Sequence, residues 1–405
     1  MNINNIKKEF PIFDEKIQNN DLVYLDSANS SQKPKIVLDR INDFYSKQFS
    51  NVGRSIHYLA VAATNLYENT RSSVQKYINA KDKNEIVFTK GATEALNLVA
   101  NTLGQTIIEP NDEILITELE HHSNYVPWHF LRKSKNVKIK FAEINEDGDI
   151  PIENIEKEIT NKTKVIAITH LSNVTGAVLP IKEITQLAHS KGIIVVVDGC
   201  QGGPHLKLDM QDLDCDFYAI SCHKMYGPTG IGGLFVQSDW LNTWQPYMTG
   251  GGMIKNVSFE QSDFLPAPFR FETGTPNVAG AAGMAAASRW LEHLGWTAIQ
   301  KREEDLRVFV RDEMNHRSYV QLLCADPDIP LFSFFIEGIH AHDMGTMLDF
   351  EGIATRSGHH CTMPLHHKLD IEASTRISLS FLNTIEECRT FLDVLDNTVR
   401  YFDEE

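Results

Sequence analysis

The chain has 405 residues, enough for one large and one smaller domain, and 42% of them are hydrophobic and 23% charged. Its formal net charge of −16 argues against a general affinity for nucleic acid or for an anionic membrane surface. The first residues, MNINNIKKEF, contain no apolar signal core, and no stretch approaches the ~20 apolar residues of a membrane span. Six scattered cysteines without a CxxC pair are typical of reduced thiols, so we expect a cytoplasmic protein.

Apolar runs alternate with helical patterns from residue 85 to residue 236. This alternation predicts a doubly wound α/β domain with a mainly parallel sheet, to which we assign residues 21–280. The sequence pattern changes after Gly233, where polar loops and longer helical patterns follow. We predict a smaller α+β domain for residues 281–405, completed by residues 1–20.

A strand-turn-helix joint lies at the start of the alternating region. The strand EIVF (85–88) stops at TKG (89–91), and a helix begins at Ala92 and Thr93. A turn of this kind presents free N–H groups and the positive end of a helix dipole, which suit phosphate, and Thr93 adds a hydroxyl. Such joints are common, so the turn indicates a phosphate site only in combination with other motifs.

Two adjacent histidines, His121 and His122, follow the strand EILIT (113–117). Neighbouring residues of an extended segment point to opposite sides, so both cannot face one pocket. We expect one histidine to be a ligand or a stacking partner and the other to be structural.

Two buried strands end in charged residues. GIIVVVD (192–198) ends at Asp198, and the strand that begins at Phe217 runs into Lys224. A buried carboxylate needs a cationic partner, and desolvation lowers the pKa of a lysine amine and leaves it nucleophilic. The protonated nitrogen of pyridoxal phosphate is one such partner, and lysines of this kind form Schiff bases with carbonyl cofactors. An N-cap aspartate and a surface lysine are the alternatives for each residue alone.

A second reactive centre is predicted near the end of the chain, in the segment Arg356–Cys361 (RSGHHC). Arg356 and the two histidines can lower the pKa of the Cys361 thiol and make it a nucleophile. The Arg-Ser-Gly flank favours a mobile loop. A small buried cysteine and a metal ligand remain as alternatives, although consecutive ligands suit one tetrahedral ion poorly.

Arg376 stands near the start of a later predicted strand, TRISLS (375–380). A guanidinium there suits bidentate binding of a carboxylate, and an ordinary ion pair is the alternative.

Together these segments resemble the class V aminotransferase superfamily, and within it the cysteine desulfurases of the SufS type (NifS group II). The resemblance spans nearly the whole chain, and its last motif separates these desulfurases from aminotransferase-like relatives. The implied fold is the α/β fold of PLP-dependent transferases of type I. The matching stretches are LDSANSSQKP (25–34), TKGATEALN (89–97), ELEHHSNYVPW (118–128), THLSNVTGAVLP (169–180), VVDGCQGGPH (196–205), DLDCDFYAISCHKMYGPTGIGGLF (212–235), GGGMI (250–254), RFETGTPN (270–277) and RSGHHCTMP (356–364).

The resemblance also implies roles for single residues. Lys224 would carry the cofactor and remove the substrate Cα proton, His121 would stack on the cofactor ring and relay protons, and Cys361 would accept sulfur as a persulfide. The implied cofactor-binding residues are Lys224, Asp198, Gln201, His121, Ala92, Thr93, Ser221, His223 and, from the second subunit of a dimer, Thr275. The implied substrate-binding residues are Asn173, Arg356 and Arg376, of which Arg356 would alternatively brace the loop.

The implied reaction converts L-cysteine to L-alanine with pyridoxal 5'-phosphate and without a metal. A homodimer would pass the sulfur to an acceptor protein of the SufE or SufU type for iron–sulfur cluster assembly. A selenocysteine lyase acting on L-selenocysteine is the first alternative, and a PLP-binding sulfur-relay protein without turnover is the second. An aminotransferase is disfavoured because it has no use for Cys361 on a mobile loop.

Four positions depart from the family pattern. Gly53 stands where histidine is usual, and Ala92 replaces a common threonine, which removes a hydroxyl and keeps the N–H. Cys200 and Cys222 replace small residues near the cofactor. Cys222 is either a second reactive thiol or a small residue packed under the strand end.

Overall fold

The computed structural model describes residues 1–53, 55–241 and 243–403. Its strands are, in chain order, β1 (Lys16–Ile17), β2 (Asn20–Asp21), β3 (Val23–Tyr24), β4 (Ile86–Thr89), β5 (Glu113–Thr117), β6 (Lys138–Ala142), β7 (Thr163–Thr169), β8 (Ile194–Asp198), β9 (Phe217–Ser221), β10 (Gly232–Val236), β11 (Ile254–Val257), β12 (Ser262–Phe264), β13 (Gln321–Leu322), β14 (Leu331–Phe335), β15 (Ile353–Ala354), β16 (Arg356–Gly358) and β17 (Ser374–Ser378).

Helices surround and connect these strands, and short 3₁₀ turns close several loops. The α-helices are α1 (Ile3–Lys7), α2 (Lys35–Asp43), α3 (Tyr58–Tyr77), α4 (Ala92–Thr106), α5 (Val126–Lys135), α6 (Ile152–Glu156), α7 (Ile181–His189), α8 (Gly202–His205), α9 (Met210–Leu213), α10 (Ser238–Leu241), α11 (Val278–Leu294), α12 (Trp296–Asn315), α13 (Ala341–Phe350), α14 (Met363–Lys368) and α15 (Ile385–Asp403). None of the helices in the described part of the chain has both the length and the apolar character needed to cross a bilayer.

The large sheet has seven strands in the order β4-β10-β9-β8-β7-β5-β6. Strand β10 runs antiparallel to both of its neighbours, and the pairs from β9 to β6 are parallel. Strands β8 and β9 are buried along their whole length, as continuous apolar runs predict for strands covered on both faces. The predicted mainly parallel α/β sheet is therefore confirmed.

Two cores cover the two faces of this sheet. Because side chains alternate along a strand, Val195 and Val197 of β8 join one core and Val196 joins the other. Helix α4 packs on the face of Val196, and the Ala-rich helix α11 packs on the opposite face together with α3. The sheet is thus covered on both faces, and the loops that follow its parallel strands lie at one edge.

A second unit is built on the four-stranded sheet β13-β14-β17-β16 with helices α12, α13 and α15. Strand β3 pairs in parallel with β15 of this unit, so residues near 23 contribute to it. The predicted division at residue 280 falls inside α11, which is one continuous helix. We therefore propose that the second unit begins after Leu294 and includes β3.

The predicted mobile loop around the cysteine motif is wrong for its first part. Arg356–Gly358 is strand β16, and Ser357 lies opposite Thr375 of β17 in an antiparallel pair. The reason is that backbone pairing to the buried strand β17 fixes this polar, glycine-bearing segment, which local sequence does not reveal. Only residues 359–362 form an irregular connection before α14 begins.

A buried ion pair ties the region before α11 to the large sheet. Arg71 of α3 is fully buried and binds the Glu272 carboxylate with both Nη atoms, at 2.6 and 2.9 Å. The same carboxylate accepts hydrogen bonds from the Phe88 N–H at 2.7 Å and the Tyr67 hydroxyl at 3.1 Å. Four donors compensate the desolvation of this carboxylate, and removal of its charge leaves the buried guanidinium with the Glu68 carboxylate alone, at 3.1 Å from Nη2.

We predict that Glu272→Gln lowers the free energy of unfolding by about 3 kcal/mol, because it replaces the buried, bidentate carboxylate partner of Arg71 with a neutral amide and leaves only the more exposed Glu68 as its counter-ion. Urea denaturation followed by circular dichroism measures the change. Asp305→Asn, which breaks the exposed Lys301–Asp305 pair, is the control and is expected to leave the midpoint unchanged. Equal midpoints for Glu272→Gln and wild type would contradict the prediction.

Candidate active site

A pocket opens where strands β7, β8 and β9 end and where the second unit meets the large sheet. This is the edge at which open α/β sheets place ligands. Its lining residues are Ala28, Asn29, Ala92, Thr93, His121, Ser123, Thr169, Leu171, Asn173, Asp198, Cys200, Gln201, Ser221, His223, Lys224, Arg356, Cys361 and Arg376. The structure therefore brings together every residue that the sequence predicted for the site except Thr275.

Lys224 and Asp198 reach the pocket from neighbouring strands. Asp198 is the last residue of β8 and lies opposite Ala219 of β9, and Lys224 ends the 3₁₀ turn that follows β9. Asp198 is buried, and its Oδ1 accepts a hydrogen bond from the Cys200 N–H at 3.0 Å. A carboxylate and an amine thus face one cavity, as the pattern of strand ends predicts.

His121 lies at the same edge, beyond β5. Its Nδ1 accepts a hydrogen bond from the Ser123 N–H at 3.1 Å, which fixes the ring at the start of a 3₁₀ turn. Burial, and then the positive charge of Lys224, lower the pKa of His121 to about 4. The imidazole is neutral at pH 7 and is able to stack on an aromatic ring or to accept a proton.

Gln201 carries an unused acceptor. Its Nε2 donates to the Ala28 carbonyl at 2.7 Å, while its buried Oε1 has no hydrogen-bond partner among the described residues. Buried polar atoms are normally paired, so this oxygen indicates a missing donor in the pocket.

The start of α4 lines one side of the pocket. The Ala92 N–H donates to the Ser221 hydroxyl at 2.9 Å, and the Thr93 and Ser123 hydroxyls are 2.7 Å apart. Burial, followed by the positive charges of Lys224 and Lys33, lowers the pKa of His223 to about 4. Hydroxyl and N–H donors at the N-terminus of a 15-residue helix suit an anion.

Thr275 lies outside this pocket. Within one chain it lines a separate cavity together with Gly53, Tyr67 and Glu272. The prediction that Thr275 reaches the site of a second subunit stays a prediction. Gly53, one of the four departures from the family pattern, lines the same cavity as Thr275.

The cysteine segment closes the pocket from the second unit. His360 and Cys361 have φ angles of 51° and 61°, a left-handed conformation that costs energy in residues other than glycine. The Cys361 carbonyl accepts from the His122 N–H at 2.8 Å, and Arg356 Nη2 lies 3.5 Å from the Cys361 sulfur. Asn173 Nδ2 donates to the His360 carbonyl at 2.8 Å, so this residue also holds the segment.

Arg376 lies on β17 and is fully buried. Its Nη1 donates to the Asn173 carbonyl at 2.9 Å, and its Nη2 donates to Asp26 Oδ1 at 3.2 Å. Burial lowers the pKa of Arg376 to about 10, and its Nε has no hydrogen-bond partner among the described residues. A guanidinium with one unused donor at a pocket wall suits a carboxylate ligand.

The two cysteines that depart from the family pattern are both weakly acidic. Burial raises the pKa of Cys200 and of Cys222 to about 12. Cys222 is buried, and a methyl group added at Gly227 would collide with its sulfur. The structure therefore favours the packed residue over the second reactive thiol at position 222.

Sequence reasoning matched the stretch from Asp26 to Lys33 to the family but assigned no role to its residues. Ala28 and Asn29 line the pocket, and Asn29 Oδ1 accepts from Arg356 Nη1 at 2.9 Å. The motif LDSANSSQKP, directly after a strand, was the available signal. Across the described ranges, no group of three or more His, Cys, Asp or Glu side chains is arranged to hold a metal ion.

We predict that alkylation with iodoacetamide at pH 7.5 modifies Cys361 first, because its thiol is part-exposed at the pocket while Cys200 holds its proton and the other four cysteines are buried. Peptide mass spectrometry over time measures the rates. Cys361→Ser is expected to leave no rapidly modified cysteine, and equally fast labelling at Cys200 would contradict the prediction.

The buried imidazole of His170 is predicted to make stability depend on pH. Its Nδ1 lies 2.7 Å from the Tyr218 hydroxyl, and burial lowers its pKa to about 4, below the ~6.5 of an unfolded chain. The unfolded state therefore binds an additional proton as the pH falls from 6.5 towards 4, and stability is lost in that range. Urea midpoints at pH 7 and pH 5 are expected to differ less in His170→Gln than in wild type. The exposed residue His316 supplies the control, His316→Gln, and an unchanged difference in His170→Gln would contradict the assignment.

The chain was compared with known proteins. The family model for aminotransferase class-V matches residues 23–391. A probable cysteine desulfurase of Halalkalibacterium halodurans is 42% identical over 402 residues, which cover 99% of each chain. One of Staphylococcus aureus is also 42% identical, over 99% of this chain and 97% of that protein.

Solved structures give the same result. The apo structure of a cysteine desulfurase from Thermococcus onnurineus NA1 matches with a TM-score of 0.93 and 35% identity over 98% of both chains. The cysteine desulfurase CsdA of Escherichia coli, as its S-sulfonic acid, matches with a TM-score of 0.91 and 34% identity over 99% of both. The fold is that of PLP-dependent transferases of type I, as predicted. On the family match and on these relatives, the chain belongs to the aminotransferase class-V family.

Proposed function

We propose that the protein is a pyridoxal-phosphate-dependent cysteine desulfurase that converts L-cysteine to L-alanine and holds the sulfur as a persulfide on Cys361. The observation that carries the proposal is that Lys224, Asp198 and Cys361 line one pocket although they come from two units of the fold. The cysteine desulfurases among its relatives match over nearly the whole chain, which supports the same chemistry here.

The pocket residues fit pyridoxal phosphate. The Asp198 carboxylate would pair with the protonated pyridine nitrogen, and the unpartnered Gln201 Oε1 is free to accept a hydrogen bond from the ring hydroxyl. Thr93 at the start of α4, together with Ser221 at the end of β9 and His223 in the following turn, would hold the phosphate. When bound, this cofactor withdraws electrons from the bonds at the substrate Cα.

Arg376 and Asn173 would bind the substrate carboxylate. The unused Nε of Arg376 offers a donor, and the fixed position of its guanidinium on β17 orients the anion. Asn173 follows β7 and lines the same pocket as Arg376. The substrate sulfur would then point towards the second unit, where Cys361 lies.

Lys224 would remove the Cα proton, since its amine shares the pocket with the bound amino acid. The neutral imidazole of His121 is placed to accept or return a proton at neutral pH. The Cys361 thiolate would attack the substrate sulfur, so that an S–S bond forms and the C–S bond breaks. The electron pair of that bond stays with the substrate carbon, which is protonated to give alanine.

Arg356 has two places in this scheme. Its Nη2 lies near the Cys361 sulfur, where a positive charge stabilises a thiolate, and its Nη1 is held by Asn29. It therefore both braces the segment and faces the substrate side of the pocket.

Several finer assignments rest on the resemblance and are part of the proposal. The protein would act in the cytoplasm as a homodimer, with Thr275 of one subunit at the phosphate of the other. The persulfide would pass to an acceptor protein of the SufE or SufU type for iron–sulfur cluster assembly. Ile56 and Tyr58, close in sequence to the Gly53 cavity, are exposed apolar residues. Their exposure supports the proposal that a second subunit covers this surface.

We predict that Cys361→Ser lowers sulfide release from L-cysteine with a reductant by more than about 100-fold, because serine cannot form a persulfide. The variant should keep the visible absorbance of the bound cofactor, since Lys224 is intact. Cys324→Ser, a buried cysteine outside the pocket, is the control and should release sulfide like wild type. Sulfide and alanine are measured together, and wild-type release by Cys361→Ser would rule out the assigned nucleophile.

A further inference from the structure

One backbone carbonyl at the site accepts an unusual number of donors. The His223 oxygen lies 3.1 Å from the Ser31 N–H, 3.0 Å from the Ser31 hydroxyl and 3.2 Å from the Ser30 hydroxyl. Lys33 Nζ lies 2.9 Å from the same oxygen. His223 directly precedes Lys224, so all four donors act on the peptide unit that carries the proposed cofactor lysine.

Ser31 holds the other side of Lys224 as well. Its hydroxyl donates to the His223 carbonyl and accepts from the Tyr226 N–H at 2.7 Å. Tyr226 has a φ of 61°, a left-handed conformation that needs support from its surroundings. One side chain therefore brackets the turn in which Lys224 sits.

Lys33 is a partly buried ammonium that is held by backbone carbonyl groups. It donates to the carbonyl groups of Ser31 and His223, and within residues 1–53, 55–241 and 243–403 no carboxylate lies within 4 Å of it. Burial lowers its pKa to about 8. A charge held only by carbonyl dipoles destabilises a fold relative to an apolar residue, so a purely structural role explains it poorly.

The charge of Lys33 also reaches the pocket. The pKa of His223 is lowered mainly by burial, then by the charge of Lys224, and then by the charge of Lys33. The Cys222 thiol raises the pKa of Lys33, and Lys33 lowers the pKa of His223, so both groups lie within electrostatic range of the Lys33 ammonium; Lys224 follows them directly in the chain. These three residues form the turn after β9.

We infer that Lys33 is a positioning residue: with Ser31, it fixes the 223–224 and 225–226 peptide groups of the turn that carries Lys224 and so holds the Lys224 amine in place against the cofactor and the substrate Cα. This inference rests on the role proposed for Lys224. It assigns a mechanistic function to the segment 30–33, which carries no regular secondary structure. Displacement of a reacting group by about 1 Å lowers the rate of a chemical step by about 100-fold.

The test uses the cofactor-loaded Lys33→Met variant, because methionine keeps much of the volume and removes the donors and the charge. We expect kcat for sulfide release to fall by about 10- to 100-fold while KM changes by less than about threefold, since Arg376 and Asn173 are untouched. Hydrogen exchange of peptides spanning residues 222–227 should be roughly tenfold faster, and exchange in β7 should be unchanged. The exposed neighbour Lys35, paired with Asp39, gives the control Lys35→Met, which should behave as wild type.

A second variant keeps the test decisive if Lys33→Met does not fold by circular dichroism. Ser31→Ala removes the bridging hydroxyl and should give the same loss of kcat and the same local increase in exchange. Wild-type kcat with wild-type exchange at residues 222–227 in a folded variant would overturn the inference. An inactive wild-type enzyme would instead refute the proposed function, and the exchange measurement would still report on the turn.

Discussion

The Arg376 guanidinium connects the four-stranded sheet of the second unit to the seven-stranded sheet. It is buried on β17 of the second unit and donates to the Asn173 carbonyl beyond β7 and to the Asp26 carboxylate beyond β3. A buried guanidinium requires such partners, because loss of its hydration is otherwise uncompensated. Strand β16, which leads to Cys361, pairs with β17. The position of the thiol relative to Lys224 therefore depends on contacts that Arg376 makes across the pocket.

Asn173 links this contact to the cysteine segment. Its carbonyl accepts from Arg376, and its amide donates to the carbonyl of His360, one residue before the thiol. Because His360 and Cys361 both have left-handed backbones, the segment persists in this form only through contacts of this kind. A carboxylate that binds to Arg376 would thus meet the same amide that holds the proposed nucleophile.

The main sheet and the reactive residues were accessible to sequence reasoning because their signals are local. Continuous apolar runs predict β8 and β9, and the charges at their ends predict that Asp198 and Lys224 meet at one edge. The strand Arg356–Gly358 was not predicted, because its order comes from pairing with a segment about 18 residues later. The second contact of Asn173 depends on tertiary packing across 187 residues, for which the sequence carries no pattern.

The segment from Asp26 to Lys33 shows why a stretch without secondary structure can be central to a site. A turn at Asp26–Ser30 supplies a few hydrogen bonds within the segment, and its other side chains and carbonyls pair with groups from both units, so the pocket contributes to its conformation. The pairs are Asp26 with Arg376, Ala28 with Gln201, Asn29 with Arg356, and Lys33 with His223. Two of these partners belong to the proposed substrate side and two to the cofactor side. A shift of this segment would therefore alter both sides together, so the position of the cysteine segment and that of Lys224 depend on each other through it.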